Sequence, residues 1–489
     1  MLIQLSRAAL HGRHGPPIGP HQIWQMRVMA AQRENRPFET VRFGMLLALL
    51  GACFLFGGAS RNDVASLLVL QPLAVICAGT FLMTPGPMRW AAIKVPMLLL
   101  GALAATMIIQ LVPLPPSIWS NLPGHGSFTE IAGIVGIEQP WRPISLTPDR
   151  TLASLVGLVT PFAVLVGLAS VPVENTWKVL PLLIGATALS ALLALAQLAG
   201  GQSSPLYFFD VTNQGSAVGF LANRNHQAVL IAITWPMLAV WASVPTEPKQ
   251  AAVKRWIAVS LAVFFLPMLI VTGSRAGLIV GTFGLVFSLL LWKRLLPKRS
   301  LGRWNRLLIP GILAIALCVI GATIALSRDV AVQRLTGISF SEESRLQYLP
   351  TLLDMARDFF PVGAGFGSFE ALFRFYEPLE LLRPLYLNHA HNDLVELVIS
   401  GGLPVTLVLV SLLLWVGIRA ITVLRASEGS RALAYGRLGL LIVISMLVSS
   451  LVDYPLRTPL MSAIFAVACG WLSAYDPGQQ GHRRQASRM

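Results

Sequence analysis

The chain has 489 residues, 55% hydrophobic and only 12% charged, with a formal charge of +15 and a mean hydropathy of +0.67. A soluble domain carries about twice that charged fraction, and apolar runs of roughly 18 or more residues, each able to cross a bilayer core of about 30 Å, recur along the whole length. These features exclude a soluble enzyme. They also exclude a nucleic-acid partner, because the basic residues lie in short clusters between apolar runs, where cytoplasmic loops would put them, with no aromatic-interleaved basic patch.

Taken in chain order, residues 1–43 are polar and basic and predict a cytoplasmic N-terminal tail rather than a signal peptide, since the first apolar run starts only at Gly44. Twelve membrane helices are predicted, at 44–60, 64–84, 93–113, 151–172, 178–200, 225–244, 256–273, 276–292, 307–326, 395–418, 436–452 and 458–474. The first nine occupy 44–326, and the last three 395–474. Both tails are then cytoplasmic, including a basic tail at 475–489. All six lysines fall on that side, with "KRLLPKRSLGRWNR" (293–306) as the strongest anchor. Two long loops face the other side. Loop 114–150 is rich in Pro and Trp. Loop 327–394 opens with a helical pattern, "SRLQYLPTLLDMARDFF", that the glycines of "PVGAGFGSF" interrupt. A loop of that length in a compact protein suits a folded, functional element. Cys53, Cys77, Cys318 and Cys469 all lie in apolar runs and read as small core residues.

Nearly all charge is absent from the helix middles, whereas an ion-coupled transporter keeps ionisable groups near the midplane. The titratable residues collect at the outer helix ends in four clusters. "GFLANRNHQA" holds Asn223, Arg224, Asn225 and His226. "TGSRAGL" holds Ser274 and Arg275. The long loop supplies Arg345 and then "NHAHNDLVELVISGG", with His389, His391, Asn392 and Asp393. "DYPLRTP" holds Asp453 and Arg457. Each outer arginine has two readings. It snorkels to lipid phosphate, or it leans over the bundle to bind a diphosphate, for which guanidinium is the better cation. The His-Ala-His pair has three readings. As a zinc ligand set it lacks a further Cys or His cluster. As a helix start it has Asn388 or Asn392 to cap. As a general base, histidine near its ordinary pKa of about 6.5 can take a proton from a hydroxyl at neutral pH.

Together, "TGSRAGL", "VGAGFGSF", "HAHNDLVELVISGG" and "DYPLRTP", with "GFLANRNHQA" upstream, resemble the bacterial O-antigen ligase and O-antigen (exopolysaccharide) polymerase superfamily over about Gly219 to Pro459. The resemblance implies an all-α integral membrane glycosyltransferase of the GT-C type with a large, partly helical periplasmic loop. It implies no metal, no cofactor and inverting chemistry. The implied donor is a glycan on undecaprenyl diphosphate, and the acceptor a glycan or lipid A–core, at the periplasmic face of the bacterial inner membrane. Polysaccharide assembly proteins are implied partners. On the family pattern His391 is the catalytic base, and Arg275, in the catalytic set with it, and Arg224 are the diphosphate-binding arginines. Asn223 and Asn392 are further substrate-binding candidates, as are Arg345 and Arg457 by position near motifs. The motifs are shared by polymerases and ligases and do not separate them. A polytopic glycolipid flippase or transporter and a non-catalytic scaffold of polysaccharide assembly are the alternatives from other classes.

Overall fold

A computed structural model describes residues 20–244, 247–295, 347–382, 387–427 and 429–476, with backbone only for 20–36 and 292–295. Its long helices are α1 (Pro20–Phe56), α2 (Leu67–Met83), α3 (Lys94–Gln110), α4 (Pro148–Gly157), α5 (Val159–Ser170), α6 (Val179–Ala199), α7 (Arg224–Ser243), α8 (Pro248–Val271) and α9 (Arg275–Leu295). After the second loop come α10 (Leu349–Phe359), α11 (Phe369–Tyr376), α12 (Asp393–Arg425), α13 (Arg431–Ser449) and α14 (Pro459–Ala474). Among the described residues, seven helical stretches are long and apolar enough to cross a membrane, and four shorter apolar helices accompany them. Eleven of the twelve predicted spans coincide with helices; the ninth, 307–326, and Arg345 lie outside the described residues.

Several boundaries differ from the sequence reading: α8 begins at Pro248 and α13 at Arg431, each ahead of the expected start, and α1 and α12 depart further. Helix α1 begins at Pro20, inside the expected tail. Near the start of its apolar part Arg42 is 1% exposed, its guanidinium donating to the carbonyls of Ser170 and Thr84. These two hydrogen bonds tie this stretch into the bundle. Helix α12 starts at Asp393 and runs past the expected end, to Arg425, with a break at Gly402. The described cysteines, Cys53, Cys77 and Cys469, are free and buried, as expected.

The break in α12 explains the glycine-rich motif. Pro404 has no N–H, so the carbonyl of Ser400 loses its helical donor. Gly402 has φ +57° and ψ −145°, and Leu403 N turns away to Pro361 O at 2.8 Å, which frees the carbonyl of Ile399 as well. The "PVGAGFGSF" loop supplies the missing donors: Ala364 N binds Ile399 O and Gly365 N binds Ser400 O, both at 2.9 Å, with Gln110 Nε2 on Ser400 O at 2.8 Å. The first long loop closes over the same glycines. Leu146 N binds Ala364 O at 3.0 Å and Thr151 Oγ1 binds Phe366 O at 2.7 Å. A Cβ on Gly365 would sit 2.3 Å from Ser145 Oγ, so only glycine permits this approach. Helix α10 covers the assembly with Leu352, Met355 and Phe359 in a small apolar core shared with Leu146, Phe369, Phe373 and Ile399. The described parts of the two long loops therefore form one folded cap on one end of the bundle.

Candidate functional site

Several helix ends converge under this cap. The carbonyl of Gly57, just past α1, accepts from Leu460 N in α14, and that of Gly58 accepts from Ala222 N just before α7. Asp393 N, at the start of α12, donates to Ser450 O at the end of α13. Helices α7 and α9 are parallel. Gly277 lies on Ala228 and Gly284 on Ala232, so the contacts advance in the same direction along both. Arg224 and Arg275, the first residues of α7 and α9, therefore stand at the same end. The starts of α7, α9, α12 and α14 all face this region, each contributing the positive end of a helix dipole.

The "DYPLR" link between α13 and α14 is the hub. The Tyr454 ring lies 4.4 Å from that of His389, is stacked on His391 at 5.1 Å, and meets His226 edge-on at 5.3 Å, centroid to centroid. Asp453, 1% exposed, accepts from Asn225 Nδ2 and stands 3.6 Å from His226 Nε2. Three of the four sequence clusters thus meet around one tyrosine.

Beside this hub is an ionic network. Arg457 Nε donates to Asp393 Oδ1 at 2.7 Å, and its Nη1 lies 3.2 Å from Glu396 Oε1. Burial pulls the Arg457 pKa down, but Glu396 and Asp393 push it up and prevail, so the guanidinium stays cationic. Glu396 also holds His389 Nδ1 at 3.0 Å and Ala390 N at 2.8 Å. His391 has φ +52°, the one positive value for a non-glycine among the described residues. Backbone strain of this kind costs about 1–3 kcal/mol and collects at functional sites.

The predicted site residues divide accordingly. His391 sits on the hub, Arg224 is two residues from His226, and Arg275 begins the neighbouring helix. Asn223 and Asn392 cap helices: Asn223 Oδ1 accepts from Asn225 N and Asn392 Oδ1 from Val395 N. Arg457, expected to meet a diphosphate, already has its charge balanced by two buried carboxylates. Sequence reasoning missed Glu396, the only acid inside that apolar run after its first residue; an acid there needs a partner, and that was the available signal. It also missed Tyr454 as the meeting point and Arg61, which carried no signal beyond a short outer link.

A cavity of about 340 Å³ opens between α2, α3, α4, α5, α12 and α14. Its walls are apolar, with Leu103, Leu158, Val408 and Leu409 among them. At one end it is polar, with Arg61, Asn62, His389, Asp393 and Arg457. Its lining follows α12 from Asp393 to Trp415, roughly 30 Å at 1.5 Å per residue. Arg61 is paired with Asp63, and that hydrogen bond holds the Asp63 carboxyl below its usual range. Among the described residues no three His, Cys, Asp or Glu side chains are grouped to hold a metal ion.

The fold and site define a multi-pass helical membrane protein with buried carboxylates and histidines gathered at one capped end and an apolar cavity opening there. Residues 260–410 match the family described as O-antigen ligase, which bears out the resemblance to the O-antigen ligase and polymerase superfamily. The matched segment is under a third of the chain. It contains Arg275, the glycine loop, both histidines and the start of α12, and it stops short of Arg457. No curated protein matches the chain.

Proposed function

We propose that this protein is a glycosyltransferase that moves a glycan from undecaprenyl diphosphate to an acceptor hydroxyl at the periplasmic face of the inner membrane, in O-antigen or exopolysaccharide polymerisation or ligation. The observation that carries this reading is the apolar cavity with its polar mouth at His389, Asp393 and Arg457. Such a shape suits a prenyl chain in the bundle and a charged head at its lip. A transporter is less well supported, because the fully buried charged side chains among the described residues, Arg42, Asp393, Glu396 and Asp453, lie near helix ends and not at the midplane.

In this reading the acceptor oxygen attacks the anomeric carbon from the face opposite the lipid diphosphate. The bond from that carbon to the diphosphate oxygen breaks, the leaving group keeps the electron pair, and configuration inverts. His391 takes the hydroxyl proton. Arg275 and Arg224, reinforced by the helix starts they occupy, stabilise the departing charge, so the chemistry needs no metal. Arg457 holds the start of α12, and Arg345 is a further candidate in the covering loop.

The test is chain-length dependence. Purified protein in nanodiscs is given donors with progressively shorter prenyl chains. The cavity reading expects KM to rise as the chain shortens, and Leu409→Trp to abolish that dependence. Equal KM for all chain lengths in the wild type refutes it.

A further inference from the structure

Glu396 is 1% exposed and makes three contacts with two oxygens. Oε1 meets His389 Nδ1 and Arg457 Nη1, and Oε2 accepts the backbone N–H of Ala390. An ionised carboxylate only accepts, so His389 Nδ1 donates to it, and His389 also lines the cavity mouth. Ala390 directly precedes His391, whose left-handed backbone is strained. The charge-assisted hydrogen bond from Ala390 N to Glu396 helps to hold that strained turn. The other side of the turn is fixed too: Asp393 N is on Ser450 O and Glu396 N on Asn392 O.

Balancing Arg457 does not account for these contacts. Asp393 already lies closer to Arg457, at 2.7 Å, and Glu396 also binds His389 Nδ1 and the backbone N–H of Ala390. We infer that Glu396 is a positioning residue for glycan transfer. It holds the His389–Ala390–His391 turn so that His391 meets the acceptor hydroxyl. This inference rests on the proposed transfer reaction.

The experiment compares Glu396→Gln, His391→Ala and the double variant, full-length in nanodiscs, with the lipid-linked glycan as donor. Glu396→Gln should lower kcat on the order of 100-fold, the scale of an ångström-sized misplacement, with donor KM within about twofold. On the His391→Ala background the same change should cost nothing more, since both act through one imidazole. Wild-type kcat in Glu396→Gln, or losses that multiply in the double variant, overturns the inference. If Glu396→Gln does not fold, Glu396→Asp keeps the charge beside Arg457 but shortens the reach to Ala390. It should show the same kcat loss, and wild-type kcat there is equally fatal. Pairing Glu396→Gln with Arg457→Met removes both charges. Recovery of kcat in that pair would mean Glu396 serves only as a counter-charge. Full activity of His391→Ala alone would instead remove the base assignment in the proposed function.

Discussion

Gly402→Ala tests whether the break in α12 shapes the site. The backbone there, φ +57° and ψ −145°, is open to glycine and strained for any other residue, at about 1–3 kcal/mol. An added Cβ would lie 2.1 Å from Pro361 O and 2.8 Å from Gly363 N. Both are backbone atoms, so the glycine loop itself must shift, with an overpacking cost of about 1–3 kcal/mol. That shift breaks at least one of the bonds between loop and helix, such as Leu403 N to Pro361 O, worth about 1 kcal/mol. The sum is roughly 3–7 kcal/mol, a drop of several degrees or more in melting temperature. Gly417→Ala is the control in the same helix, since a Cβ there meets nothing within 4 Å. Melting in detergent at one fixed scan rate, with limited proteolysis of the 360–368 loop, provides the assay. Gly402→Ala should melt early, be cut in that loop and lose transfer activity, while Gly417→Ala matches the wild type. Identical melting of both glycine variants and the wild type would refute the account of the break.

Arg457→Leu leaves Asp393 and Glu396 buried without their counter-charge and should destabilise by about 3–5 kcal/mol; a wild-type melting curve would show that the network is not holding α12. Arg275→Lys keeps the charge but loses the planar fork, so turnover at subsaturating donor should fall at least tenfold; unchanged turnover would take Arg275 out of the diphosphate site. EDTA should leave transfer untouched, and a loss restored by one divalent ion would contradict the metal-free chemistry.

The apolar runs announced the membrane helices because a bilayer leaves few alternatives to a continuous helix. The four polar clusters were legible for the related reason that charge at a helix lip needs an explanation. What the sequence did not reveal was the pairing between them. The docking of "PVGAGFGSF" on "ISGGLP" depends on two carbonyls freed by Pro404 and Gly402, a long-range consequence of a local defect. Arg457 looked like a free phosphate ligand because its carboxylate partners come from another helix. Tyr454 gave no periodic or charge signal, although three imidazoles pack on its ring. Asn392 fitted both a capping and a substrate-binding reading in the sequence, Asn223 only the second, and the structure uses the side-chain oxygens of both to cap α12 and α7.

The most direct measurement of the central claim is the lipid-linked glycan profile of a strain lacking this protein, complemented with wild type or with His391→Ala at equal protein level. Glycan should accumulate on its carrier in the uncomplemented strain and equally with His391→Ala, as single repeats for a polymerase or as long chains for a ligase. A wild-type profile restored by His391→Ala would contradict the account.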